Sequence, residues 1–171
     1  MKFKLNMQIT FKKYIGFFVF VTLLLALSPA GADEINRTVD KTLLLELIND
    51  HRISGTECGG EYQPPAEPLT WNDTLAVAAQ IHSDDMYGND FLAHTGSDGS
   101  VLADRIDRVG YDWRTIGENV AMVHREAEYR VVEGWMASPQ HCLNIMRGDF
   151  EEMGAARSDK FWTQVLAKPR K

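Results

Sequence analysis

Residues 14–27 are apolar almost without a break, ending in the run GFFVFVTLLLAL. What flanks this run bounds everything the rest of the chain can become. Lys2, Lys4, Lys12 and Lys13 precede it with no acidic residue among them, and Ser28-Pro29-Ala30-Gly31-Ala32 follows it. A basic start, a short apolar stretch and a small-x-small site are the three parts of a secretory leader. The stretch is shorter than the ~20 residues of a stable membrane span; an uncleaved N-terminal anchor is the competing reading. No Cys follows closely, so no lipoprotein anchor is expected, and no later segment is apolar enough to span a bilayer. Residues 1–32 are therefore read as a signal peptide, and 33–171 as one domain, periplasmic or released from the cell.

The remaining 139 residues suit a single domain. The leader holds 4 of the 18 basic residues and none of the 24 acidic ones, leaving a formal charge of −10 on the rest. That balance argues against nucleic acid and anionic lipid as main partners. Cys58 and Cys142 are the only cysteines. Export would place them in an oxidising compartment, where two thiols of a small domain usually pair, and two free buried thiols are the alternative. Closing so long a loop would stabilise by ~4–5 kcal/mol at most in the chain-entropy model.

No repeat or low-complexity tract divides the domain. Residues 38–51 read as a helix capped by Thr38 or Asp40, with Leu43, Leu44, Leu47 and Ile48 as its stripe. Gly55 to Pro68 reads as a loop. Asn72 caps a second helix, along which Leu75, Ala79, His82 and Met86 recur at helical spacing up to a stop at Gly88. A loop with Phe91 and His94 follows, then turn chemistry at 96–100. A short helix runs from Val101 to Val109, and Ile116 to Val123 is extended. Glu126 to Ala137 is a helix, and Pro139 to Met146 one more short helical turn. Met153 to Arg157 and Phe161 to Lys168 read as a hairpin, with Phe161, Thr163, Val165 and Ala167 on one face and Trp162, Gln164, Leu166 and Lys168 on the other. Helices first and a hairpin last predict an α+β fold, an antiparallel sheet flanked by helices.

Four polar residues stand out: His82, His94, Glu118 and His141. They fit no compact motif, for there is no HExxH, no GxSxG and no Gly-rich phosphate loop. His82 sits on an apolar stripe and reads more readily as a satisfied core histidine than as a ligand. Glu118, in an otherwise apolar extended stretch, needs partners if buried. His51 and His124 have only surface context. The aromatic residues Trp71, Phe91, Tyr111, Trp113, Trp135 and Trp162 read as core and rim packing.

Six blocks in order carry more than any single residue. They are AQIHSDDM from Ala79, FLAHTG from Phe91, GENVA from Gly117, GWMASPQHCLNIM from Gly134, MGAA from Met153 and FWTQ from Phe161. Together they closely resemble the CAP superfamily (cysteine-rich secretory proteins, antigen 5 and pathogenesis-related 1), in its bacterial secreted branch, over roughly Leu43 to Ala167. The resemblance implies an α-β-α sandwich with a central cleft faced by two His and two Glu, where some members hold a divalent metal such as zinc. Carried over, the two His are His94 and His141, the first Glu is Glu118, and Cys58–Cys142 matches the pair of related bacterial chains. His82 lies in a matching block but at none of the four cleft positions. The second Glu position is occupied by Ser138. Glu133, five residues earlier, points about 140° away on a helix and reads as solvated. The expected site is His94, Glu118 and His141, with Ser138 as a weak fourth member.

Three functions compete at this stage. The first is a secreted, non-enzymatic module that holds an exchangeable divalent metal such as Zn2+ through His94 and His141. The second is a metal-dependent hydrolase with Glu118 as general base. The third is a carrier of a lipid, sterol or peptide ligand, as some members of the superfamily are thought to be. A monomer is expected over an oligomer.

Overall fold

The computed structural model describes residues 36–124 and 127–171; the expected leader and the helix start expected at Glu126 lie outside them. Helix α1 is Lys41–Ser54, capped by Asp40, whose carboxylate accepts from the Leu43 amide at 3.0 Å. Leu44, Ile48 and Arg52, four residues apart, form its buried edge.

The expected loop over 55–68 contains a small hairpin. Thr56–Cys58 (β1) and Glu61–Gln63 (β2) pair antiparallel around Gly59-Gly60. Both glycines have positive φ, 63° and 89°, the backbone that a tight two-residue hairpin turn requires. The strands are too short for alternation to be read, but the Gly-Gly pair itself was the available signal.

Thr70–Trp71 (β3) leads into α2, Asp73–Asn89, whose first amides, Thr74 and Leu75, donate to the Asn72 side chain. The helix passes through Gly88 instead of stopping there. It ends where Asp90 turns left-handed at φ 47°, its amide reaching back to the Met86 and Tyr87 carbonyls. Asp is one of the few residues besides Gly that accept this conformation readily.

Leu102–Arg108 forms α3, Trp113–Met122 β4, Ala127–Ala137 α4 and Pro139–Met146 α5. The last is a full eight-residue helix where one turn was expected, with Pro139 in its first turn, where its missing N–H costs nothing. Glu152–Ser158 (β5) and Phe161–Pro169 (β6) complete the chain.

The main sheet has the order β3-β5-β6-β4. β5, β6 and β4 run antiparallel, as expected, while two-residue β3 adds a parallel edge beside β5. Both faces of β6 are covered, along the division that alternation predicts. Trp162 and Leu166 join Met153 and Ala155 in a core built with α1, α4 and α5 around Trp135. On the other face, Val165, Ala167 and Ala156 meet Leu75, Ala78 and Ala79 of α2 and Ile106 of α3. The result is the α-β-α sandwich. At Gly154 the approach of α2 is so close that a Cβ would overlap the Ala76 amide nitrogen.

Two covalent and polar ties fix the helices to this frame. Cys58 and Cys142 form a disulfide with Cα atoms 5.5 Å apart. Pro139 also packs beneath the Gly59 turn, so the hairpin and α5 form one piece. Arg52 is fully buried, and it donates to the carbonyls of Glu67, Ile145, Arg147 and Phe150 at 2.6–3.2 Å. Its burial was not legible, because an Arg on a helix normally reads as a solvated position. Here four carbonyls replace the water that the guanidinium gives up.

Candidate functional site

β4 carries Glu118 to a position where the residue is only 6% exposed. A buried carboxylate must be paired, and this one is paired twice. Its Oε1 accepts from His94 Nδ1 at 2.8 Å, and its Oε2 accepts from Arg105 Nη2 at 2.7 Å. Because the carboxylate can only accept, His94 carries hydrogen on Nδ1, and Nε2 has no protein partner among the described residues. The His94 side chain is 60% exposed. The hydrogen bond to Glu118 raises the His94 pKa above its ordinary value, the larger effect against partial burial.

Arg105 was not singled out in the sequence. It is 1% exposed, and besides Glu118 it donates to the carbonyls of Ser100 and of His94 itself, each at 3.0 Å. One guanidinium thus joins α3, the 94–100 loop and the sheet. An Arg in a short, charge-rich helix gives no sequence sign of such a role.

His141 is carried by α5, near enough to His94 to feel its charge. Partial burial, followed by the charge of nearby His94, lowers its pKa and favours the neutral imidazole. Its backbone is held from the sheet, since Asn119 Nδ2 donates to the His141 carbonyl at 3.2 Å and to Gln164 Oε1 at 2.9 Å. Asn144, one turn of α5 further on, donates to Asn119 Oδ1 and to the Glu118 carbonyl. Asn119 and Gln164 are fully buried. They belong to blocks noticed in the sequence, but their function as a polar seam between sheet and helix was not apparent there.

Ser138 stands at the α4–α5 break, half-buried. Its side chain caps nothing, and its carbonyl accepts from the Cys142 amide at 2.9 Å. Glu133 is exposed and paired with Arg130 at 3.2 Å. His82 is fully buried and donates from Nε2 to the Ala93 carbonyl at 2.8 Å, anchoring the loop that presents His94. Its Nδ1 has no partner among the described residues, and burial is the main cause of its lowered pKa. It is a core histidine beneath the site.

Among the described residues, no three His, Cys, Asp or Glu side chains come together as a ready-made metal cage. The donor set on offer is two imidazoles, with a carboxylate behind one of them. A carboxylate on the far nitrogen of a histidine is the usual outer-shell support of a metal-ligating ring. The residues therefore fit an open, water-completed ion better than a closed structural one. Each oxygen of Glu118 already accepts one hydrogen bond and the residue is only 6% exposed, so it is poorly placed to meet a substrate as general base.

A sheet covered by helices on both faces, with a buried Glu–Arg pair hydrogen-bonded to an exposed histidine, defines a three-layer α-β-α domain. The model described as "Cysteine-rich secretory protein family" matches residues 45–165, and the chain belongs to this family. YkwD of Bacillus subtilis (strain 168) is 27% identical over 139 residues, covering 80% of this chain and 53% of that protein. The membrane protein YlbC of the same organism is 30% identical over 100 residues, covering 58% of this chain and 29% of that protein. The chain thus spans about half or less of the length of these relatives. An extracellular SCP-domain protein from Bacillus anthracis superposes with a TM-score of 0.65 at 27% identity, over 74% of this chain and 39% of that one. Among the described residues, no helix is long and apolar enough to cross a membrane.

Proposed function

We propose that this protein is an exported CAP-domain module whose cleft takes up an exchangeable divalent ion of the zinc class through His94 Nε2 and His141, and that it acts by binding instead of catalysis. The observation that carries this reading is the His94–Glu118 hydrogen bond. In the neutral ring it places the hydrogen on Nδ1 and leaves Nε2 as a free lone pair on an exposed side chain. His141, favoured neutral, supplies the second nitrogen. A bound ion would supply an open coordination position for water or a ligand group. The chain's own residues orient the rings, with Glu118 fixing His94 and Asn119 fixing the backbone of His141. The leader at residues 1–32 and the extracellular SCP-domain relative support export.

Zinc calorimetry on the chain from Asp33 onward, beside a His94→Ala/His141→Ala double variant, tests the reading. Saturable binding lost in the double variant is expected. No binding by the folded wild type would overturn it and leave the residues as a structural cluster. Mass spectrometry of the exported protein is expected to find an N-terminus at Asp33; an intact N-terminus would point to an anchor instead.

A further inference from the structure

Glu118 has two oxygens and could in principle serve the cleft in three ways: as a metal ligand, as a base, or as a support for His94. What selects among them is the other partner of the carboxylate. Arg105 is buried, can only donate, and spends one Nη2 hydrogen on Glu118 Oε2 at 2.7 Å. The same guanidinium is fixed by the Ser100 and His94 carbonyls, so it cannot swing aside without unmaking the 94–100 loop. Glu118 is consequently held with Oε1 on His94 and Oε2 on Arg105, its side chain only 4% exposed.

We infer that Arg105 is a positioning residue that sets the metal preference of the cleft: by occupying Glu118 Oε2 it confines the carboxylate to holding His94, so that the cleft offers imidazole nitrogen and no carboxylate oxygen. This rests on the metal reading given above. Imidazole sites suit zinc and its neighbours, whereas calcium requires several oxygen ligands. A free Glu118 would broaden the site toward oxygen-seeking cations. The Arg105 clamp excludes them.

The donor and acceptor rules give a test that packing alone would not satisfy. In Glu118→Gln the side chain has one oxygen and one NH2 group. Arg105 accepts nothing, so it must claim the amide oxygen, and the NH2 must then face His94 Nδ1. The ring can satisfy that NH2 only by accepting at Nδ1, which moves its hydrogen to Nε2. Long-range proton–nitrogen correlation of the imidazoles, recorded metal-free at a pH where they are neutral, reads this directly. The expected result is Nδ1–H for His94 in the wild type and Nε2–H in Glu118→Gln, with zinc affinity down at least about tenfold. Wild-type calorimetry with zinc alone and calcium alone is expected to show zinc binding at least about 100-fold tighter.

A Glu118→Gln chain that keeps Nδ1–H would overturn the inference, as would calcium bound as tightly as zinc. The charge-neutral pair Arg105→Met/Glu118→Gln guards against the single variant failing to fold. With no donor to claim the amide oxygen, the pair is expected to retain a substantial Nδ1–H population. A pure Nε2–H state in that pair would show that Arg105 is not the cause. If the wild type binds no zinc, the metal reading fails by itself, while the tautomer comparison still decides the role of Arg105.

Discussion

Asn119 donates to the carbonyl of His141 across 22 positions of sequence, at 3.2 Å. This contact, with the Asn144 amide returning to Asn119 Oδ1 at 3.0 Å, ties the strand that carries Glu118 to the helix that carries His141. The seam is buried, so each group depends on the others for its hydrogen bonds. Asn119→Ala would leave the Gln164 oxygen and the Asn144 amide without this partner, each costing about 1–3 kcal/mol. We expect a total loss of about 3 kcal/mol in urea unfolding and weaker zinc binding. A variant as stable as the wild type would show that the seam is not cooperative.

Removing the Cys58–Cys142 bond should cost about 4 kcal/mol, because the crosslink closes a loop across 84 positions. Cys58→Ala/Cys142→Ala is the variant to measure, in parallel with the wild type under strong reductant. Since Cys142 adjoins His141 in α5, zinc affinity is expected to fall along with stability. Unchanged affinity would mean that Pro139 and the Asn119 seam hold the helix by themselves.

Gly154→Ala probes the closest approach of helix to sheet. The added methyl would overlap the Ala76 nitrogen and lie 2.6 Å from the Leu75 carbonyl carbon. Both are backbone atoms, so no rotamer change relieves the overlap, and α2 must move outward. We expect a loss of about 3 kcal/mol or more, read as a lowered Tm. Wild-type stability would contradict the close approach.

His82 should contribute to the pH response. Its folded pKa lies below the ordinary value because of burial, so the unfolded chain binds more protons in the window below about 6.5. Stability therefore falls as pH drops through that value, and continues to fall toward the folded pKa. His141 acts in the same direction. His94 acts in the opposite one, since its raised pKa gives a contribution present at low pH that is lost as pH rises through the folded value. His82→Gln keeps a donor for the Ala93 carbonyl without taking up a proton. Unfolding free energies from pH 5 to 8 should show a shallower acid decline in this variant. Parallel curves for variant and wild type would rule His82 out as the cause.

The sheet and helices were largely legible because period-two alternation in Phe161–Lys168 and helical spacing in α1 and α2 report burial directly. The β1–β2 hairpin and β3 were not, since strands of two or three residues are too short to show a period. His94, Glu118 and His141 stand out in the sequence as polar residues, and the ordered blocks of resemblance set them apart from His82. What escaped were the groups that hold them. Arg105, Asn119 and Gln164 act through contacts made only after the chain closes, and a buried Arg has the same letter as a solvated one.

Arg52 has a consequence for how this chain comes to be folded. Three of its four acceptors, the carbonyls of Ile145, Arg147 and Phe150, lie 93–98 positions downstream. While the chain is being made, the end of α1 therefore holds a guanidinium whose seat does not yet exist. Helix formation is a local event and can proceed early, but this charge can leave water only after the last third has been synthesised. Closure of this kind is paid for in loop entropy before it yields contacts, and such topologies fold slowly. Helix α1 is thus made early, but its last turn is completed only once residues 145–150 are in place.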